Sequence, residues 1–240
     1  MSIPRQTRPS NEARPLTDRV ARRLARGLGR LPAGVKRVLA GKPIRVDGQT
    51  MDLEAQVAMR LLNLAVSKTF ESLPLEEGRA QIASEAWIFG DALPVAEVRD
   101  IVLPGSGGDL PARLYRPEGI EAPSPALVYF HGGGWVLGDL GASDSVCRFL
   151  AEHASLTVIS VDYRLAPESP FPAAVDDALA AFAHVVEHAK EYDVDPAAVG
   201  VGGESAGGNL AAVIAQETAR RARGADDVPT PAMQLLFMPV

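Results

Sequence analysis

What the sequence lacks narrows it first. One cysteine, Cys147, occurs in 240 residues, so no intrachain disulfide can form. That suits a reducing compartment, and a cytoplasmic location is the expectation. Cys147 reads as a small buried hydrophobe on a helix. No apolar run reaches the roughly 18 residues that a bilayer span requires. "AFAHVV" and "LAAVIA" are both interrupted by polar residues. The first thirty residues are rich in arginine but hold no continuous apolar segment, so no secretory signal is read. Acid is scarce at one end. Residues 1–45 contain twelve arginines and lysines against Glu12 and Asp18 alone, a surplus of ten. The rest of the chain carries 12 basic and 28 acidic residues, so a basic arm precedes an acidic body. The bulk composition, 47% hydrophobic and 22% charged, is that of a soluble globular chain with one large core or two small ones. There is no internal repeat and no low-complexity run.

Leu16, Val20, Leu24, Leu28 and Leu31 recur at helical spacing, with Arg19, Arg22, Arg23, Arg26 and Arg30 between them. This predicts a basic amphipathic helix, weakened by Gly27 and Gly29. Such a helix suits an anionic membrane surface; packing on the acidic body, or partial disorder, competes with that. "LPAGVKRVLAGKP" reads as a linker with a short helix. Residues 51–69 predict a second helical stretch on Leu53, Val57, Leu61, Leu64 and Val66. From about residue 95 the period changes. "AEVRDIVLP" and "LPARLYRP" alternate like half-buried strands joined at "GSGG". "ALVYFH", "LTVISVDY", "AAVGVGG" and "MQLLFMP" are solid apolar runs of the kind buried parallel strands show. Helices are expected at about 142–153, 173–190 and 206–222. The alternation predicts a doubly wound, mostly parallel α/β sheet. The expected division is a basic arm and start of a cap at 1–45, a helical cap segment at 46–94, and a catalytic domain at 95–240.

The chemistry concentrates at Gly203-Glu204-Ser205-Ala206-Gly207. A Gly-x-Ser-x-Gly between a buried strand and an apolar helix is a nucleophile elbow. The tight turn needs Gly203 and Gly207 small and projects the Ser205 hydroxyl above the sheet. The Ala206 N–H and the positive end of the following helix face the charge that develops there. A dinucleotide fingerprint would need glycine where Ser205 stands, and a phosphate loop would need a lysine that is absent. "YFHGGGW" supplies the second part. His131, Gly132, Gly133, Gly134 and Trp135 directly follow a buried strand, and amides in such a loop can turn inward onto an oxyanion.

"HGGGW", "DYRLAPESPFPAAVDDALAA" and "GGESAGGNLAA", in this order and spacing, resemble the bacterial hormone-sensitive-lipase-like (family IV) esterases. These are α/β-hydrolases with a helical N-terminal cap, and the likeness covers roughly residues 50–240. It implies a serine carboxylesterase acting on short or medium acyl esters, with no metal and no organic cofactor. Ser205 matches the nucleophile. Gly133, Gly134 and Ala206 match the oxyanion donors, with Gly132 in the same loop. His131, Trp135, Gly203, Glu204 and Gly207 support the two motifs. Asp162 is given a structural role, tying down the loop after its strand. Ser143-Asp144 and Ser169 stand where the family often has a His-Asp pair and a histidine.

The family's triad runs serine, acid, histidine in chain order. The acid and base would follow "LLFMPV", so the sequence to Val240 is expected to hold neither the triad Asp nor the triad His. Of the histidines present, His131 belongs to the glycine loop and His153 to a different helix. His184 and His188, with Glu187, spell a metal-site pattern. The helical period, however, sets Val175, Leu179, Phe182 and Val186 inward and both histidines on a solvated face with Asp176, Asp177 and Glu191. No metal is expected. The expected partner is a small ester. Weak contact of the arm with an anionic membrane surface and self-association are further expectations, and no nucleic-acid partner is expected. The competing function is a receptor-like binder, as in the plant gibberellin receptors that resemble this family and lack the triad histidine.

Overall fold

The computed structural model describes residues 14–65, 72–224 and 228–240. The chain divides into two compact units, one of them Thr7–Phe89 and the other containing Gly90–Val240. The first unit is helical. It holds α1 (Leu16–Gly29), α2 (Ala33–Ala40), a two-stranded ribbon of β1 (Arg45–Val46) and β2 (Gln49–Thr50), α3 (Leu53–Ala65) and α4 (Leu75–Phe89). The ribbon was not anticipated, although its cause is visible. Asp47-Gly48 take left-handed φ values of 49° and 78°, the geometry an Asp-Gly hairpin turn favours. Asp52 caps α3, accepting from the amides of Glu54 (2.9 Å) and Ala55 (3.1 Å). The helix expected over 51–69 therefore starts at Leu53. Val66 and residues 67–69 lie outside the described residues. Nor was α4 anticipated, because its apolar residues are scattered around the helix instead of forming one stripe.

The second unit carries a six-stranded sheet in the order β3-β4-β6-β5-β7-β8. The strands are β3 (Glu97–Gly105), β4 (Gly108–Arg116), β5 (Ser124–Phe130), β6 (Thr157–Val161), β7 (Val194–Glu204) and β8 (Gln234–Phe237). β3 and β4 form the expected antiparallel hairpin, and β4 also runs antiparallel to β6. β6, β5, β7 and β8 are parallel. Between them run α5 (Leu140–Ala154), α6 (Ala173–Glu187) and α7 (Ala206–Ala222). β5 shows why a solid apolar run makes a central strand. Ala126, Val128 and Phe130 point to the cluster that α6 and α7 cover, and Leu127 and Tyr129 point to the cluster on the α5 side. The two-residue period thus feeds two cores, one on each face. Cys147 is fully buried in the second of these.

α6 departs from its expected orientation. Ala178, Ala181, Phe182 and Val185 face inward, and Asp177 is buried among them, whereas Val175, Leu179 and Val186 lie at the margin. The helical period placed Asp177 on the solvated side. In the fold it accepts from the Arg164 side chain at 2.8 Å and from the Arg164 amide at 3.1 Å, and from Ser106 Oγ at 3.1 Å. A charge can be buried when it is so paired. His188 is exposed, but His184 is half-buried, stacked on His188 at 4.1 Å with its Nε2 3.0 Å from the Tyr192 hydroxyl.

Candidate active site

Ser205 is the single residue between the last residue of β7, Glu204, and the first of α7, Ala206. Its backbone takes φ 50° and ψ −117°, a region that costs a non-glycine residue on the order of 1–3 kcal/mol. The conformation is held from both sides. The Ser205 amide donates to Phe237 O of β8 at 2.9 Å, and its carbonyl accepts from the Asn209 amide at 2.9 Å. Neighbouring positions cannot carry side chains. A Cβ on Gly207 would strike the backbone of Phe130, as would one on Gly203. Backbones of β5, β7 and α7 thus meet where the serine turns. Ala206 is at the first helical position, so its N–H has no intrahelical acceptor.

The glycine loop starts where β5 ends. His131 is fully buried and its Nδ1 lies 2.8 Å from Gly132 O. A carbonyl only accepts, so Nδ1 carries the proton. Burial holds this imidazole below the usual histidine range and therefore neutral. Its ring stacks on Tyr163 at 4.4 Å, and the Tyr163 hydroxyl donates to His131 O at 2.8 Å. The Gly132 amide donates to Glu204 Oε1 at 3.4 Å, linking the glycine loop to the residue just before Ser205. Gly133 and Gly134 have φ of 123° and 62°, which turns the chain sharply, and Trp135 follows in the left-handed region at 60°. Among the described residues, no hydrogen bond engages the Gly133 or Gly134 amide. Trp135 is held through its carbonyl, which accepts from the Ala166 amide at 2.8 Å.

Ser205, Ala206 and Glu204 and the His131–Trp135 loop are therefore brought together by two adjacent parallel strands. The register pairs Phe130 with Gly203, immediately before each turn. Asp162 follows β6, and its amide donates to Pro111 O at 2.9 Å. Burial first, and then the nearby Asp139, push its carboxyl up to about 6. The side chain that ties the following loop through Arg164 is Asp177, which periodicity did not single out. Ser143 and Asp144 are buried on α5, where Ser143 Oγ meets Ser160 Oγ at 2.9 Å and Asp144 meets Arg148 at 2.8 Å. They build the core of that face. His153 lies against Phe149 with the ring planes tilted by 53°. Among the described residues no histidine hydrogen-bonds Ser205, and no cluster of three or more His, Cys, Asp or Glu could hold a metal ion.

A parallel sheet whose central strand turns through a strained serine into a helix, beside a glycine loop from the neighbouring strand, is the α/β-hydrolase architecture. A family model described as alpha/beta hydrolase fold matches residues 127–240. The carboxylic ester hydrolase LipN of Mycobacterium tuberculosis is 42% identical over 217 residues, covering 87% of this chain and 56% of LipN. The ethyl acetate hydrolase of Pseudomonas putida is 39% identical over 173 residues, covering 70% of this chain and 53% of that protein. Among solved structures, a hyperthermophilic esterase from the archaeon Pyrobaculum calidifontis superposes with a TM-score of 0.67 at 39% identity, covering 76% of this chain and 57% of that one. The chain thus shares the α/β-hydrolase fold with these esterases and is similar to them in sequence. It spans about half the length of the curated relatives it matches.

Proposed function

We propose that this protein hydrolyses carboxylic esters of short or medium acyl groups through an acyl-enzyme on Ser205. The observation that carries the proposal is the strained Ser205 backbone, whose preceding residue Glu204 accepts from the Gly132 amide of the glycine loop. Ser205 Oγ attacks the ester carbonyl. The carbonyl oxygen becomes an oxyanion facing the amides of Gly133, Gly134 and Ala206. The tetrahedral intermediate then expels the alcohol, and water releases the acid from Ser205. The proton of Ser205 needs a base oriented by a carboxylate. All four histidines precede Ser205 in the chain, whereas the family order puts the histidine after the serine. The base is therefore not assigned to any of them. Gly132 acts through its bond to Glu204 as loop support. Residues 1–45 with 46–94 are proposed as the arm and cap, and 95–240 as the catalytic domain. A cytoplasmic location, supported by the lone buried cysteine, and self-association belong to the same proposal. So does weak contact of the arm with an anionic membrane surface.

The test is hydrolysis of p-nitrophenyl butyrate by the full protein beside its Ser205→Ala variant. The variant should lose on the order of 10⁶ in kcat. Undiminished hydrolysis by the variant would remove Ser205 from the mechanism. Ester binding without turnover by the unsubstituted protein would favour the receptor-like alternative.

A further inference from the structure

We propose that one face of α1 is an interfacial membrane contact, which docks the helical unit flat on an anionic lipid bilayer. This sharpens the membrane part of the proposed function into named residues and is independent of the ester chemistry. α1 runs from Leu16 to Gly29 and has no buried residue. The 14-residue helix is about 21 Å long. At about 100° per residue, Leu16, Val20 and Leu24 fall within about 80° of arc. They are 67%, 46% and 64% exposed. Arg19, Arg23, Arg26 and Arg30 occupy the adjoining arc of about 60°, and all four are exposed. The opposite side faces the unit's own helices. Ala21, Ala25 and Leu28 line a cavity with α3 and α4, Leu24 borders it at the edge of the exposed stripe, and Arg22 lies over the Trp87 ring at 4.5 Å. α1 therefore presents two sides, one committed within its unit and one showing aliphatic side chains edged with guanidinium groups.

That exposed combination selects its partner. Guanidinium groups are drawn to the phosphates of a lipid surface, and leucine and valine beside them enter the headgroup boundary, as an interfacial helix does. A nucleic acid would use the arginines but would leave Leu16, Val20 and Leu24 in water. An acidic protein surface would meet the charge without explaining the length of the aliphatic stripe. The surplus of ten positive charges in residues 1–45 extends the attraction beyond α1 itself.

Vesicle flotation of the 240-residue chain tests this, with neutral phosphatidylcholine vesicles beside vesicles containing a third phosphatidylglycerol. Binding is expected only to the anionic vesicles and should fall away at high salt. The triple substitution Arg19→Glu, Arg23→Glu, Arg30→Glu should lower partitioning at least about a hundredfold, since each basic residue near such a surface is worth about fivefold. The matching triple change to lysine should keep most of the binding, which separates charge from any loss of folding. Leu16→Ser with Val20→Ser should weaken binding about tenfold with helicity unchanged by circular dichroism. Equal binding to neutral vesicles, or retained binding by the glutamate variant, overturns the proposal. So does unchanged binding by the serine variant, or displacement of the chain from vesicles by short duplex DNA with the aliphatic changes having no effect on the duplex complex.

Discussion

The two units solve the problem of holding helices in opposite ways. In the sheet unit, six of the seven β5 residues are buried and both faces are closed by helices. In the helical unit, α1 buries nothing, α2 buries Lys36 and Ala40, and a cavity of about 770 Å³ lies among α1, α3 and α4. What fixes the helical unit is largely polar. Gln56 donates to the carbonyls of Ala40 (2.9 Å) and Lys42 (2.7 Å) and accepts from the Ile44 amide (3.1 Å). Lys36 reaches Gly29 O at 2.8 Å and pairs with Glu54. The difference shows where rigidity is needed. A strained serine persists only if its surroundings over-determine it, and a close-packed sheet does that. A helical unit joined by a few polar clamps is free to differ in shape and to accommodate ligands or surfaces.

The comparison breaks first, if it breaks, at Gly207. Replacing it with alanine sets a Cβ against the backbone of Phe130, which cannot move without shifting β5. A loss of more than about 3 kcal/mol in unfolding free energy is expected in urea titration. A near-neutral Gly207→Ala would show that the elbow is not over-determined.

The next effect contrasts the two units directly. Ile159→Ala, in the fully buried centre of β6, should cost about 4 kcal/mol, whereas Leu61→Ala, beside the existing cavity, should cost under about 1.5 kcal/mol. The two tryptophans make the measurement clean, because Trp87 reports on the helical unit and Trp135 on the sheet unit. Trp→Phe backgrounds let each be followed alone. Equal losses would mean that both units are packed alike.

Asp162 offers a pH signature confined to the sheet unit. Its folded carboxyl titrates near 6 and its ordinary value is 3.8, so the folded state favours the protonated form. This contribution is fully present below pH 4 and is lost as pH rises through 6. It amounts to roughly 3 kcal/mol at about 1.4 kcal/mol per pH unit. Asp162→Asn should flatten the stability profile of the Trp135 signal between pH 4 and 7 and leave the Trp87 signal unchanged. A profile of unaltered slope would contradict the assignment.

A smaller effect than that at Asp162 is expected for Gln56→Ala, about 2 kcal/mol, seen through Trp87 alone. It strands the Ile44 amide and the Lys42 carbonyl, while Arg60 still donates to Ala40 O at 3.0 Å. A loss that appeared equally through Trp135 would show that the units unfold together.

Sequence alone made the sheet legible because buried parallel strands are written as solid β-branched runs. β6 and β8 fall inside the runs that predict them, whereas β5 starts earlier at Ser124, β7 extends over Val194–Glu204, and β8 is largely exposed rather than buried. The serine and glycine-loop motifs were legible for the same kind of local reason, since tight turns restrict residue choice within five positions. α4 and the exact inward face of α6 were not, because their burial depends on what lies opposite them.

The order of residues by itself determined the strand–serine–helix turn, the glycine loop, the Asp-Gly ribbon and the amphipathic character of α1. Each follows from side-chain period or backbone permission over a short stretch. Only the tertiary structure decided that Asp177 would be buried, since Arg164 and Ser106 reach it from 13 and 71 residues away. Only the tertiary structure likewise joined Glu204 to Gly132, 72 residues apart, because that bond exists only once β5 and β7 lie side by side. A buried charge or a shared loop is stabilised by partners distant in the chain, and local sequence carries no record of which partners the fold will bring.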